Sequence, residues 1–586
     1  LTDHDALYGA PRFERAARQA GIKPIFGAEI TLVNGGGHLT LLVENDTGYA
    51  NLCRLITLAR RDQQKGFAAL PWRLLANHHD GLIALSGCRR SEIARALLDR
   101  NPTKAQHAAE RFASIFGRGN FFLEMQSHYE RGDRRLNTGL AELGQRLKIP
   151  LVATGNVHYL DPDDAPLHDV LTCIRHRVSL TQANGLLRSN SEYGFRSPRD
   201  VAALYAEWPD ALRATLDIAE RCHARLPLGP QSLPTLPTPG GTPPIVYLRQ
   251  LCQIALNQHG DLRRPRAEYQ AALDHELRII EEQGLTDYFL IVHDLVRFAR
   301  SQNILCQGRG SAANSLVAYL LGITPIDPLS IGLVFERFLS AERATAPDID
   351  IDFVAGTARE TVIQHLYQKY GHDHTAMACT VVTFGAKQAV RDVGMALGFS
   401  TETIDRVSDS LDVQSSADLS ASSSLRSTFG AQLDAPRWQQ WLTLASTLQG
   451  YPRHLGIHSG GFVISGSPLI DQIPVEPATM MERFVTQWDK DALEMVGWVK
   501  LDVLGLRMLA AISDACDLIE QQTGQRPDLN ALRFDDKRVF DMICRGETVA
   551  VFQVESRAQA SLIPRFQPRS FADLTVEIAL IRPGPV

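Results

Sequence analysis

Residues 346–353 read APDIDIDF, three aspartates (Asp348, Asp350 and Asp352) separated by isoleucines and closed by an aromatic. Successive side chains of a strand point to opposite faces, so the aspartates would share one face and the isoleucines the other. Like charges in such a row repel unless a cation lies among them. Two-metal phosphoryl transfer uses this arrangement, with ions ~3.5–4 Å apart bridged by shared carboxylates. Residues i and i+2 have Cα atoms roughly 6.6 Å apart and reach one ion pair, whereas i and i+4 are about 13 Å apart and do not. The spacing predicts two metal-binding aspartates here and a further carboxylate from elsewhere. Asp502 in WVKLDVLGLR is the candidate, with Lys500 on the same face. A lone aspartate in an apolar strand needs its burial compensated.

A second feature lies upstream. GRGSAANS (308–315) follows the short apolar run ILC and leads into SLVAYLLGI, which has a helical pattern. Gly308 and Gly310 permit close backbone approach, and Ser311 and Ser315 are placed to cap the helix. Its amides are expected to face outward with the helix dipole behind them, as phosphate sites require; an ordinary strand-to-helix turn is the alternative. The GxxxxGK[ST] pattern of a Walker loop is absent. FERFLSAER then brings Arg337 and Arg343 ahead of the aspartates. Arginine suits bidentate phosphate contact; ion pairs on a helix surface with Glu336 are the alternative. Glycine loop, arginines and aspartates together point to a metal-bound triphosphate.

The elements that must hold these residues belong to a chain of 586 residues, 44% hydrophobic and 22% charged. That is ordinary globular composition and too long for one core, so several domains are expected. No apolar run approaches the ~20 residues that cross a bilayer. The nine cysteines are odd in number and show no CxxC spacing, so neither a zinc ribbon nor a disulfide framework is indicated, and a reducing, cytoplasmic setting fits best. The net charge of −6 excludes a wholly basic nucleic-acid coat but not a local basic groove. The chain starts on Leu1 without a methionine and stops after RPGP, which reads as a fragment of a longer protein. Residues 1 to about 215 alternate short apolar runs with helical patterns, the mark of an α/β domain. LPLGPQSLPTLPTPGGTPP (226–244) reads as an interdomain linker, and VSDSLDVQSSADLSASSS (407–424) as a flexible excursion or exposed tip.

Six stretches carry a resemblance: CQGRGSAANSLVAYLLGITPIDP, FERFLSAERATAPDIDIDF, VRDVG, HLGIHSGGFVIS, WVKLDVLGLR and VFQVESRAQ…RPGP. In this order they resemble the bacterial C-family DNA polymerases, the DNA polymerase III alpha subunit family. CQGRGSAANS and YPRHLGIHSGGFVIS are more similar to its error-prone, translesion branch than to its replicative branch. The resemblance implies an α/β and α+β multidomain chain. A PHP-type distorted (β/α) barrel (1–225) and linker (226–244) precede a polymerase-beta-like nucleotidyltransferase palm (245–395 and 456–510). A helical thumb (396–455) is inserted in the palm, and 511–586 begin the fingers.

The implied activity is DNA-templated addition of dNTPs to a primer 3′-hydroxyl in error-prone translesion or repair synthesis. The main replicative alpha subunit and a non-catalytic DNA-binding scaffold are the alternatives. Asp348, Asp350 and Asp502 match the catalytic carboxylates that hold two Mg²⁺ ions. Gly310 and Ser311 match the loop that touches the incoming triphosphate, and Arg337 and Lys500 match cationic contacts to it. Asp352 matches no catalytic role and is expected as a neighbour, paired to a cation or orienting a ligand. Implied partners are primer–template DNA, dNTPs, a sliding clamp and accessory proteins, with no membrane.

LTDHDALYGA at the start is similar to the PHP (polymerase and histidinol phosphatase) domain, which can hold three metal ions. The matching ligand positions are His4, Glu29, His38, Cys88, Asn156 and His158. Asn156 stands where an aspartate is usual, and a neutral amide is a poor bridge between cations. A metal-dependent phosphoesterase or proofreading site is one reading. A barrel with a degenerate site, metal-free or partly loaded, serving as a platform, is the expectation.

Overall fold

The computed structural model describes residues 1–33, 37–260, 262–339, 349–411, 419, 422–529 and 532–581. The N-terminal strands are β1 (Thr2–His4), β2 (Gly27–Leu32), β3 (Gly37–Val43), β4 (Leu82–Leu85), β5 (Phe121–Met125) and β6 (Leu151–Ala153). They form one sheet in that order. β1–β2, β4–β5 and β5–β6 pair in parallel, while β2–β3–β4 form an antiparallel meander. Every residue of β4 and β5 is buried, as expected of central strands covered on both faces. Later strands are β7 (Cys306–Arg309), β8 (Ile349–Val354), β9 (Thr375–Thr383), β10 (Pro452–Ile464), β11 (Val475–Pro477), β12 (Phe484–Asp489) and β13 (Leu501–Leu506).

The chain divides into two compact units. One takes in Leu1–Thr235 and Leu366–Leu501; the other takes in Leu236–Glu342, Asp348–His365 and Asp502–Val586. In the first unit the N-terminal sheet and the strands β11–β12–β9–β10 share an apolar core, which runs from Leu7 and Phe26 to Trp488 and Trp498.

A buried polar network lies in this unit. Glu476 of β11, 3% exposed, accepts from Tyr8 Oη at 2.7 Å and pairs with Arg60 at 3.0 Å. Gln487 of β12 donates to Glu476 at 3.2 Å and accepts from the Leu7 amide at 2.8 Å. Arg12 donates to Asp489 at 2.8 Å nearby. A buried charge persists only when paired and hydrogen-bonded, so this network fixes how the two sheets meet.

The Pro/Gly-rich segment read as an interdomain linker contains the boundary between the two units, and its start is pinned: Gln231, buried, donates to the Val499 carbonyl at 2.6 Å and accepts from its amide at 2.8 Å. Gly229 N also donates to Val496 O at 2.7 Å. Proline and glycine signal an irregular backbone, which can still be pinned by side-chain amides. The Ser-rich stretch is similarly not a simple exposed tip. Val407, Ser408, Leu411 and Leu419 are buried, while 412–418, 420 and 421 lie outside the described residues.

The helical cluster around that stretch takes in helix Ala386–Ala396. Gly394 carries the packing. A Cβ there would come within 2.7 Å of the Trp441 ring, whose Nε1 donates to Val390 O at 2.9 Å.

Glu476→Ala leaves Arg60 buried without its carboxylate and removes the acceptor for Tyr8. Loss of one partner of a buried pair is expected to cost about 3–5 kcal/mol. Urea denaturation of wild type and variant checks this, and a loss below about 1 kcal/mol, the range of a surface pair, would overturn the clamp reading.

Candidate active site

The second unit carries three neighbouring strands in the order β13–β8–β7. β8 reads IDIDFV, and the alternation behaves as the sequence predicts: Ile349, Ile351 and Phe353 are wholly buried on one face. Asp350 and Asp352 occupy the other. β7 runs antiparallel to β8, with Arg309 opposite Asp350 and Gln307 opposite Asp352. Asp502 is buried on β13, the strand on the other side of β8. Arg359, at the start of helix Thr357–Tyr370, donates from Nε to Val503 O at 2.9 Å and ties that helix to β13. Strand adjacency thus puts Asp350 and Asp502 on neighbouring strands across about 150 residues of sequence. Asp348 lies outside the described residues.

The cation among these carboxylates includes one the sequence reading had not singled out. Arg309 Nε lies 3.2 Å from Asp352 Oδ2, and its Nη2 lies 3.9 Å from Asp350 Oδ2. Asp352 is 6% exposed, and burial pushes its carboxyl up against the opposing pull of Arg309. Asp350 remains part-exposed beside it. Arg309 sits inside the quoted GRGS run, but its partner is visible only from the β7–β8 register.

Gly310 opens a 3₁₀ turn, Gly310–Asn314, with φ of +69°, a conformation that favours glycine. A Cβ there would lie 3.9 Å from Asp350 Oδ2, so the residue at 310 sits directly over that carboxylate. Ser311 follows, exposed. Ser315 caps the next helix, Leu316–Leu320, accepting from Ala318 N at 3.1 Å.

The outward-facing helix amides expected from the sequence are not available. Glu276, 3% exposed, accepts from Leu316 N at 2.8 Å, Val317 N at 3.0 Å and Ser315 Oγ at 2.8 Å. A protein carboxylate fills the position a phosphate would take, and burial raises it to about 7 in spite of these donors. Glu276 belongs to helix Arg266–Glu282, whose many charged residues gave no sign that one of them turns inward. Arg337 is exposed in the short turn Phe335–Arg337, and Glu336 pairs with His275 at 2.9 Å; Arg343 lies outside the described residues. Lys500 is buried immediately before β13.

The N-terminal cleft in the first unit holds the other predicted residues. His4 of β1, Glu29 of β2 and His38 of β3 offer ligand atoms within 4.8 Å of one another. Glu29 Oε1 is 2.8 Å from His4 Nδ1 and 3.0 Å from His38 Nδ1. Burial would raise Glu29, but the two imidazoles hold it far below the usual carboxylate range. Cys88 Sγ lies 3.8 Å from His38 Nδ1, and its hydrogen bond, followed by that of Glu29, lifts His38 to about 9. Asn156 and Cys88 both line a cavity of about 230 Å³. His158 stands apart from the cluster, bonded through Nε2 to Arg188. Burial and the Arg188 guanidinium hold it near 3, in the neutral form.

Residues 246–505 match the bacterial DNA polymerase III alpha NTPase domain, 1–128 the PHP domain, and 508–586 the bacterial DNA polymerase III alpha subunit finger domain. The chain is 41% identical over 605 residues to an error-prone DNA polymerase of Symbiobacterium thermophilum. It is 40% identical over 601 residues to one of Mycobacterium tuberculosis and 40% over 591 to one of Dechloromonas aromatica. Each alignment takes in all of this chain and 55%, 53% and 56% of the relative, so the chain spans about half the length of the curated relatives it matches.

The Arg309–Asp352 pair is testable without any activity. Arg309→Ala leaves Asp352 buried without its partner, and Asp352→Asn relieves that defect. A double-mutant cycle in urea is expected to give a coupling of about 1 kcal/mol. Strict additivity would show that the contact carries no energy.

Proposed function

The chain belongs to the bacterial DNA polymerase III alpha family, and on that footing we propose that it carries the nucleotidyl-transfer centre of a DNA-directed DNA polymerase of the error-prone kind. The substrates would be primer–template DNA and dNTPs, with a sliding clamp and accessory proteins as partners. The observation that carries the proposal is the acidic centre on β13–β8–β7, with a left-handed glycine directly over Asp350. No helix among the described residues is long and apolar enough to cross a membrane, and all nine cysteines are free.

The donor set fits divalent magnesium: hard carboxylate oxygens, one part-exposed and one buried, on adjacent strands. Asp350 and Asp502, together with Asp348, would hold two Mg²⁺ ions. Bound there, the ions would acidify the primer 3′-hydroxyl and offset charge on the leaving pyrophosphate. Gly310 presents no side chain over Asp350, so a triphosphate can approach the backbone of the turn. The exposed Ser311 hydroxyl and Arg337 guanidinium are donors for its oxygens, and Lys500 adds positive charge next to Asp502 in the chain. Arg309 keeps Asp352 paired, which makes Asp352 a positioning residue that orients the strand rather than a metal ligand.

Primer extension by the full-length protein with Mg²⁺ and dNTPs tests this. Asp350→Ala is expected to lower the rate at least about 10³-fold, since loss of one preorganised stabilising group already costs 10²–10³ in comparable sites. Asp352→Asn is expected to cost no more than about 10–100-fold, the range for residues behind a metal ligand. Normal extension by a folded Asp350→Ala protein overturns the assignment. The error-prone reading predicts synthesis past a template abasic site; accurate synthesis that stalls there would place the protein with the replicative branch.

A further inference from the structure

Six residues of the N-terminal cleft match metal-ligand positions, yet the structure gathers only His4, Glu29 and His38, with Cys88 beside them. Asn156 accounts for part of the departure, as a neutral amide where a charge is usual. Arg188 accounts for the rest. We propose that Arg188 takes the place of metal on the His158 side of this cleft, leaving the His4–Glu29–His38 group as the site of a single divalent ion.

A neutral imidazole has one lone pair to offer. Arg188 Nη2 lies 2.5 Å from His158 Nε2, and a guanidinium only donates, so the His158 lone pair is spent on arginine. The guanidinium is held from other directions as well. It lies over the Tyr193 ring at 4.4 Å. Tyr193 stacks on His128 with centroids 3.9 Å apart and donates to Glu130 at 2.7 Å. Ser189, next in sequence to Arg188, donates to the same Glu130 oxygen at 2.7 Å.

Arg188 also lines two cavities, one of about 230 Å³ with Cys88 and Asn156 and one of about 440 Å³ with His168 and Asp169. Arginine keeps its charge at any physiological pH and cannot be exchanged or chelated. A second metal ion beside it meets Coulomb repulsion and finds neither a carboxylate at 156 nor a free lone pair on His158. The opposite side keeps nitrogen, oxygen and sulfur donors suited to one zinc-like ion.

The full-length protein, loaded with Zn²⁺ and dialysed, is assayed for metal per chain by mass spectrometry, with thermal melts to establish folding. Wild type and Asn156→Asp are expected to hold one ion each. Asn156→Asp/Arg188→Ala is expected to hold two, while Asn156→Asp/Arg188→Lys, which keeps the positive charge, stays at one. Should the alanine variant fail to melt cooperatively, Asn156→Asp/Arg188→Met, which keeps the volume, is read in its place. The proposal is overturned by no ion or two ions in wild type, or by a second ion in Asn156→Asp alone. It is also overturned by a folded double variant that still binds one.

Discussion

Carboxylates two residues apart on a strand face repel, and the second unit is organised around that repulsion. β8 places Asp350 and Asp352 on one face, and β13 brings a third carboxylate, Asp502, to the adjacent strand. In the protein alone the compensation is uneven. Arg309 closes on Asp352 at 3.2 Å but stays 3.9 Å from Asp350. Asp352 is buried beside that guanidinium, and Asp350 is part-exposed under Gly310.

The same use of internal charges recurs away from that centre. Glu276 fills the start of helix Leu316–Leu320, as an anion would, and so withdraws its amides from any incoming phosphate. Arg188 does the converse in the N-terminal cleft, a fixed cation among ligand-like side chains. Glu476 pairs with Arg60 and Tyr8 where the N-terminal sheet meets the strands β11–β12. Each of these groups is costly to bury unpaired, and each therefore fixes its neighbours in one arrangement.

Much was legible in the sequence where the signal is local. The period-2 pattern of APDIDIDF gave the strand and its two faces, because strand geometry fixes where alternate side chains point. Distance along a strand was enough to keep Asp348 and Asp352 from sharing one ion pair, but not to choose between them. The Ser315 cap and the irregular 226–244 segment were equally readable from residue types. Arg309, Glu276 and Arg188 were not, since an arginine in a turn or a glutamate in a charged helix looks the same whether it faces solvent or a buried partner. The docking of Gln231 onto Val499 was hidden for the same reason.

By itself, then, the sequence determined which residue types were available for metal and phosphate chemistry, and which strand face two of the aspartates share. Backbone periodicity and side-chain reach are local properties that need no knowledge of the fold. The tertiary structure decided which of those groups are already matched by a charge from elsewhere in the chain. Pairing depends on strand register and helix docking across tens to hundreds of residues, and no local spacing encodes that. It set Arg309 between Asp352 and Asp350, closed the helix start with Glu276, and set Arg188 against His158.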